Sequence, residues 1–281
     1  MMSKGYANEL RQILNYLNKK RSFDAFGFRI AMLERRVRLR LVSTNCKNYT
    51  DYFLYLQNNS AELDHLINTL TINVSRFFRN TLTFEYIADQ ILPDMVHQKT
   101  KTKDQFLRIW SAGCAMGEEP YSVAILINEL LKKKPNKLMV NIFATDIDAK
   151  ILTKAQEATY QFESIGNVKY RLLKKYFSLQ EESFQLTPEI RDRVSFSFYD
   201  MLDKNSYAPP ESIFGAFDMV FCRNVLIYFD IEHQELIYEK LYRALAENGY
   251  LILGKSEIPT LKYKKHFKKV VNRRHIYQKV L

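Results

Sequence analysis

Cysteine, proline and glycine are all scarce in this 281-residue chain, at 3, 7 and 8 residues. Cys46, Cys114 and Cys222 form no CxxC pair, which argues against a disulfide framework or zinc ribbon and for a reducing compartment. The histidines show no paired ligand spacing, so no metal site is expected. No apolar run approaches the roughly 20 residues of a membrane span, and MMSKGYANELRQ lacks a signal-peptide core. The expectation is a cytoplasmic protein without membrane insertion. Neither a repeat nor a low-complexity tract is present. The dinucleotide fingerprint GxGxxG is missing, which leaves an NAD-dependent oxidoreductase without its phosphate turn. The Asn/Asp-Pro-Pro-aromatic signature of base-methylating enzymes is missing too; the adjacent prolines read Ala208-Pro209-Pro210.

What is present is ordinary globular composition, with 47% apolar residues to build a core. That suits one large domain, or a main domain with a small one attached. The net charge of +11 sits at the ends. Residues 1–40 hold ten Lys/Arg against three Asp/Glu, and residues 262–281 hold eight against none. The middle is therefore acidic on balance, which is unlike a uniformly cationic nucleic-acid channel, and no nucleic-acid partner is expected.

Residues 3–70 read as helices. In DAFGFRIAMLERRVRLRLV, Phe26, Ile30, Leu33, Val37 and Leu41 recur at helical spacing. Arg29, Arg36 and Arg40 form a stripe, the latter two within about 20° of the first on an ideal helix. The stripe is either a solvated flank or a docking face. Asp51–Leu56 and Glu62–Leu70 read as further helices. Beyond residue 80, strands (Phe106–Trp110, Leu138–Thr145, Phe217–Cys222, Tyr250–Leu253) alternate with helices (Glu119–Lys133, Ala149–Ala158, Glu232–Ala246). Phe267–Val271 and His275–Val280 read as a terminal antiparallel hairpin. This is the pattern of a mostly parallel α/β sheet with a ligand crevice at its carboxyl edge. Phe177 to Phe198 alternates apolar and polar residues and reads as a small β insert.

The turn after the first strand spells Gly113-x-x-x-Gly117-Glu118. Its glycines serve either a close backbone approach to a ligand or tight packing. Asp146 ends the second strand, where α/β nucleotide binders place an acid for ribose hydroxyls; Asp146 or Asp148 also suits a helix cap. Glu118 reads as a fixed acceptor at a helix start, while Glu119 and Pro120 read as first-turn residues that start the helix.

TINVSRFFRN, WSAGCAMGEEPYSVA, ATDIDAKIL, FDMVFCRNVLIYFD and ENGYLILGKSE, in that order, resemble the chemotaxis receptor (CheR-type) protein-glutamate O-methyltransferases. The resemblance spans essentially the whole chain. It implies an N-terminal helical receptor-docking domain, 1–72, and an S-adenosylmethionine-binding methyltransferase domain, 73–281, with a β insert at about 177–198. The implied fold is α/β and Rossmann-like, a mostly parallel sheet ending in an antiparallel hairpin. The implied cofactor is S-adenosylmethionine, released as S-adenosylhomocysteine, and the implied partner is a methyl-accepting chemoreceptor's cytoplasmic domain, with the enzyme acting as a monomer. Carried over by position, Asn73, Ser75, Arg79, Gly113, Gly117, Glu118, Asp146, Asp200, Met201, Arg223 and Asn224 would contact the cofactor. Tyr228 would line the transfer site, and Arg29, Arg36 and Arg40 would meet the receptor. The alternatives are a non-catalytic S-adenosylmethionine-binding signalling module and a methyltransferase of another protein. A glutamate acceptor is already ionised at neutral pH, so the chain needs no strong base, which agrees with the absence of Ser-His-Asp or Cys-His arrangements.

Overall fold

The structure, a computed structural model, describes residues 4–280 except 22, 24, 26, 72–74, 102–104, 133–137 and 213–215, with side chains described from Asn8 onward. The chain divides into two compact units, Met1–Asn73 with Tyr228–His233, and Val74–Ile227 with Gln234–Leu281.

The first unit is helical: α1 (Lys4–Arg21), α2 (Ile30–Ser43), α3 (Tyr49–Asn58) and α4 (Ser60–Leu70). Leu10, Ile13, Leu14 and Leu17 line one face of α1 and are buried with Leu33 and Val37 of α2 and Leu63, Leu66 and Leu70 of α4. The face expected on α2 is shorter than its sequence pattern. Ile30, at the helix start, is 53% exposed, and Phe26 lies outside the described residues. Tyr228–His233 joins this unit because an extended segment before α2 pairs with it. Arg29 N donates to Tyr228 O at 2.7 Å, Asp230 N donates to Gly27 O at 3.3 Å, and the Phe28 and Phe229 rings lie 4.9 Å apart.

The second unit begins with α5 (Thr81–Tyr86), a wide π-helical stretch (Ile87–Ile91) and α6 (Leu92–Lys101). The sequence reading assigns nothing to this long helical run. Pro93 has no N–H to offer Asp89, and the helix passes that point with Leu92 N bonded back to Ile87 O. Then come β1 (Phe106–Ala112), α7 (Glu118–Leu131), β2 (Met139–Asp146), α8 (Ala149–Glu157), β3 (Thr159–Tyr160), α9 (Phe162–Ile165), α10 (Tyr170–Tyr176), β4 (Phe177–Gln180), β5 (Ser183–Leu186), α11 (Pro188–Arg191) and β6 (Val194–Phe198). The remainder is β7 (Phe217–Cys222), α12 (Ile231–Ala244), β8 (Leu245–Leu253), β9 (Phe267–Lys269) and β10 (Ile276–Lys279). Helix α12 starts within the residues that group with the helical unit.

The main sheet runs β6-β2-β1-β7-β8-β10-β9, parallel through β8, with β10 and β9 antiparallel. Ile109 of β1 faces Ile142 on one side and Met219 on the other, so apolar residues meet across the central strands, as expected for parallel strands covered on both faces. Trp110 is fully buried, and its Nε1–H reaches Thr145 Oγ1 at 2.9 Å. The insert differs from expectation. Its sheet is β3-β5-β4, so it takes in Thr159–Tyr160 and ends at Leu186. Val194–Phe198 is instead the edge strand of the main sheet, parallel to β2. An edge strand covered on one face alternates apolar and polar residues much as an insert strand does, and that is why the pattern misled. Among the described residues, no helix is long and apolar enough to cross a membrane.

Candidate active site

The carboxyl ends of β1, β2, β6, β7 and β8 meet at one edge of the second unit. After β1 the chain turns back on β2, with Gly113 N and Cys114 N both donating to Thr145 O at 2.8 and 2.9 Å. Gly113 (φ 74°) and Gly117 (φ 87°) adopt the left-handed region, and Gly117 starts α7. Protein neighbours leave no room for a side chain at either glycine. A Cβ at Gly113 would stand 2.4 Å from Val225 Cγ2, and one at Gly117 would stand 3.0–3.1 Å from the Tyr121 and Phe196 rings. These contacts support the packing role open for these glycines in the sequence.

Two carboxylates face this turn. Asp146 accepts from Ala115 N (Oδ2, 2.9 Å) and Asp148 N (Oδ1, 3.1 Å), tying the end of β2 to the turn after β1. The cap of α8 is Asp148, which accepts from Lys150 N and Ile151 N. Burial raises the Asp146 pKa against these backbone donors. Glu118 is 1% exposed. Its Oε1 accepts from Ser164 Oγ at 3.3 Å, while its Oε2 is buried with no hydrogen-bond partner among the described residues. Burial pushes Glu118 up to about 7, opposed by its backbone and by the Ser164 and Ser75 hydroxyls. On the neighbouring strand end, Tyr199 N donates to Asp146 O, and Asp200 and the buried Met201 follow directly. Asp200 Oδ1 closes a turn on Leu202 N.

The loop before α5 is fastened to this corner. Ser75 lies against Glu118, Phe78 N donates to Ser122 Oγ at 2.9 Å, and Phe77 N donates to Ser164 O. Arg223 makes the fourth fastening and corrects one expectation. Its Nη1 donates to Glu119 Oε2 at 3.0 Å, and its Nη2 donates to Arg79 O and Asn80 Oδ1 at 2.8 and 2.7 Å. Arg223 thus gives Nη1 and Nη2 to protein partners, while its Nε is buried without a partner among the described residues. Glu119, far from a mere first-turn residue, is a buried anion that also accepts from Ser111 Oγ at 2.8 Å. A buried guanidinium needs a counter-charge, and Glu119, at the start of α7, is held in reach by its bond to Ser111 of β1.

Asn224 follows in the left-handed region (φ 61°). Its N–H donates to Glu257 Oε2 at 2.8 Å, and Glu257 also accepts from Gly254 N and Ile227 N. Glu257 is a positioning residue that the sequence reading missed. Its one signal is an acid four residues past the buried strand β8. Burial raises its pKa despite these donors. Asn73 lies outside the described residues.

The other expected residues belong to the helical unit. Tyr228 is half-buried, ends the helical turn Leu226–Tyr228 and accepts the Arg29 N–H. The arginine stripe is not uniformly available. Arg29 Nε donates to Phe229 O at 2.9 Å, and Arg36 Nε is buried without a partner among the described residues. Arg40 forms a two-pronged pair with the 5% exposed Glu62 (2.8 and 2.7 Å), which also accepts from Tyr52 Oη at 2.7 Å. Burial alone would raise Glu62, but these donors outweigh it and hold its pKa below the usual carboxylate value. Arg40 therefore ties α2 to α3 and α4. Arg40→Ala is expected to cost about 2 kcal/mol of stability, seen as a lower urea midpoint, and an unchanged midpoint would show that the pair contributes nothing.

A parallel sheet in this order with a reversed penultimate strand, a glycine turn after β1 and an acid ending β2 define a Rossmann-like methyltransferase. Residues 73–276 match the family profile "CheR methyltransferase, SAM binding domain", and residues 8–71 match "CheR methyltransferase, all-alpha domain". The chain belongs to the CheR methyltransferase family. It is 35% identical over 244 residues to chemotaxis protein methyltransferase 2 of Vibrio cholerae, covering 84% of this chain and 82% of that one. Against the chemotaxis protein methyltransferase of Borreliella burgdorferi it is 32% identical over 243 residues, 84% of each chain. Against that of Escherichia coli it is 33% identical over 232 residues, covering 80% and 76%.

Proposed function

We propose that this chain methylates glutamate side chains on the cytoplasmic domain of a chemoreceptor, acting in the cytoplasm as a monomer and leaving S-adenosylhomocysteine. Its family makes it an S-adenosylmethionine-dependent protein methyltransferase of chemotactic adaptation. The observation that supports the site assignment is Glu118 Oε2, a buried acceptor without a donor among the described residues, in a corner built from strand ends.

The residues present fit S-adenosylmethionine. When bound, that group supplies a sulfonium methyl that a carboxylate oxygen can take in a single displacement. Glu118 offers its unpartnered oxygen to a cationic or hydroxyl donor. Asp146, with one backbone N–H on each oxygen, keeps lone pairs for two ribose hydroxyls. Arg79 is chemically suited to a carboxylate, and the four fastenings of its loop set its backbone in place. Met201 offers buried apolar surface beside Asp200 for a base, and Glu257 holds the Asn224 loop steady. A glutamate acceptor is ionised at neutral pH, so these residues need only align the partners and exclude water.

The test is transfer of a labelled methyl group to a receptor cytoplasmic fragment, followed by release in mild base. Base-labile label on glutamate supports the proposal. Label that resists base points to an amine or amide acceptor, and binding without transfer points to a non-catalytic module; either result overturns it. Asp146→Ala is expected to weaken both S-adenosylmethionine and S-adenosylhomocysteine by about tenfold or more, because both share the ribose. Unchanged affinities by calorimetry would remove Asp146 from the site.

A further inference from the structure

The basic C-terminal stretch has no role in the cofactor site, yet the fold brings part of it to the same edge. Strand β10 runs antiparallel to β8, with Leu253 N bonded to His275 O at 2.8 Å. The turn that precedes β10 therefore lands beside the carboxyl ends of β7 and β8. There Arg273, Arg274 and His275 line a cleft of about 350 Å³ with Lys255, Arg223 and Asn80. No Asp or Glu lines it.

The cations differ in how far they are committed. Arg223 is neutralised by Glu119. Lys255 and Arg273 are exposed, and among the described residues neither they nor Arg274 has an acidic partner. The Arg274 guanidinium sits 5.7 Å over the Tyr86 ring, and its Nε is buried without an acceptor among the described residues. His275 Nδ1 donates to Glu257 O at 2.6 Å, so its Nε2 is the nitrogen left for another group. Three uncompensated cations around one concave surface make a site for an anion. Arg273 is held in the left-handed region (φ 66°), so the turn presents its side chain from a fixed backbone.

Position selects the anion. Cys222 and Leu253 are register partners at the ends of β7 and β8, and β7 adjoins β1. With strands about 4.8 Å apart, the cleft lies roughly 5–15 Å along the edge from the turn after β1. On a helix, carboxylates three, four or seven residues from a given glutamate lie about 5–11 Å from it. A free phosphate would need no such spacing, whereas an acidic protein segment has it built in. Resting on the function proposed above, we infer that this cleft holds a second carboxylate of the receptor segment, one that neighbours the glutamate being methylated. The chain thereby selects glutamates with an acidic neighbour.

The test compares wild type with Lys255→Gln/Arg273→Gln, a double variant of exposed residues, and with the triple variant that adds Arg274→Gln. The expected result is a KM for receptor fragment raised about tenfold or more by the double variant, with kcat and calorimetric S-adenosylhomocysteine affinity unchanged. Neutralising the acidic neighbours of the methylated glutamate in the fragment should raise the wild-type KM similarly and leave the variant's KM nearly unaffected. An unchanged KM in the folded double variant, or additive effects of the two sets of changes, would overturn the inference while leaving the methyltransferase reading intact. No transfer by wild type would overturn both.

Discussion

Glu119→Gln is expected to cost the protein about 3–5 kcal/mol of unfolding free energy, a large change for a substitution that alters one atom. Glutamine keeps the shape of the side chain and can still accept the Ser111 hydroxyl. It removes the charge opposite Arg223, whose side chain is 4% exposed. A guanidinium cannot lose its proton at working pH, so the variant must bury an uncompensated cation or swing it out. Swinging it out would release Arg79 O and Asn80 Oδ1 and loosen the loop over α7. Cofactor affinity should then fall along with stability, through the loop that Arg223 holds. The double variant Glu119→Leu/Arg223→Met, which removes both charges, should recover most of the stability because an apolar pair of similar volume avoids the desolvation cost. Urea midpoints decide the matter: a Gln variant within about 1 kcal/mol of wild type would show that Arg223 does not depend on this partner.

That residue marks where the sequence stops being legible. Phe217–Cys222 reads as a short buried-type strand, and its bounds agree with the structure. The Gly113–Gly117 turn announces itself because left-handed backbone favours glycine. Glu119 carries no such mark, since Glu-Glu-Pro at a helix start is fully explained by local preference. Its burial depends on Arg223, 104 residues away. Arg40 fails in the same way: a helical projection gives its direction but not the Glu62 waiting there. The long helix before β1 is hidden by Pro93, which locally reads as a break. Tyr228–His233 groups with the helical unit through backbone pairing, to which side-chain patterns are blind. Local rules thus recover elements and turns, while long-range ion pairs and backbone docking need the coordinates.

The second large effect concerns Glu118 and pH. The carboxyl sits at about 7 in the folded protein, raised by burial, against about 4.5 in an unfolded chain. Between those values the folded state holds a proton that the unfolded state has released, so stability falls as pH rises from about 4.5 to 7. The integrated loss is about 3 kcal/mol, complete above neutrality. Burial raises Asp146 and Glu257 as well, so the wild-type slope alone does not isolate Glu118. The difference between wild type and Glu118→Gln does. The variant should match wild type at pH 5 and melt higher at pH 8, where the native carboxylate is ionised without a donor for Oε2. Affinity should run the other way. A positively charged ligand favours the ionised carboxylate, so wild-type affinity for S-adenosylmethionine should rise up to about tenfold per unit between pH 5.5 and 7 and then level off. In Glu118→Gln it should be weaker and nearly flat over that range. Calorimetry and thermal melts on the two proteins across this window test both halves. A variant that keeps the wild-type pH profile of binding would show that Glu118 does not face the charged ligand, and one that melts no higher at pH 8 would show that the buried carboxylate carries no strain to relieve.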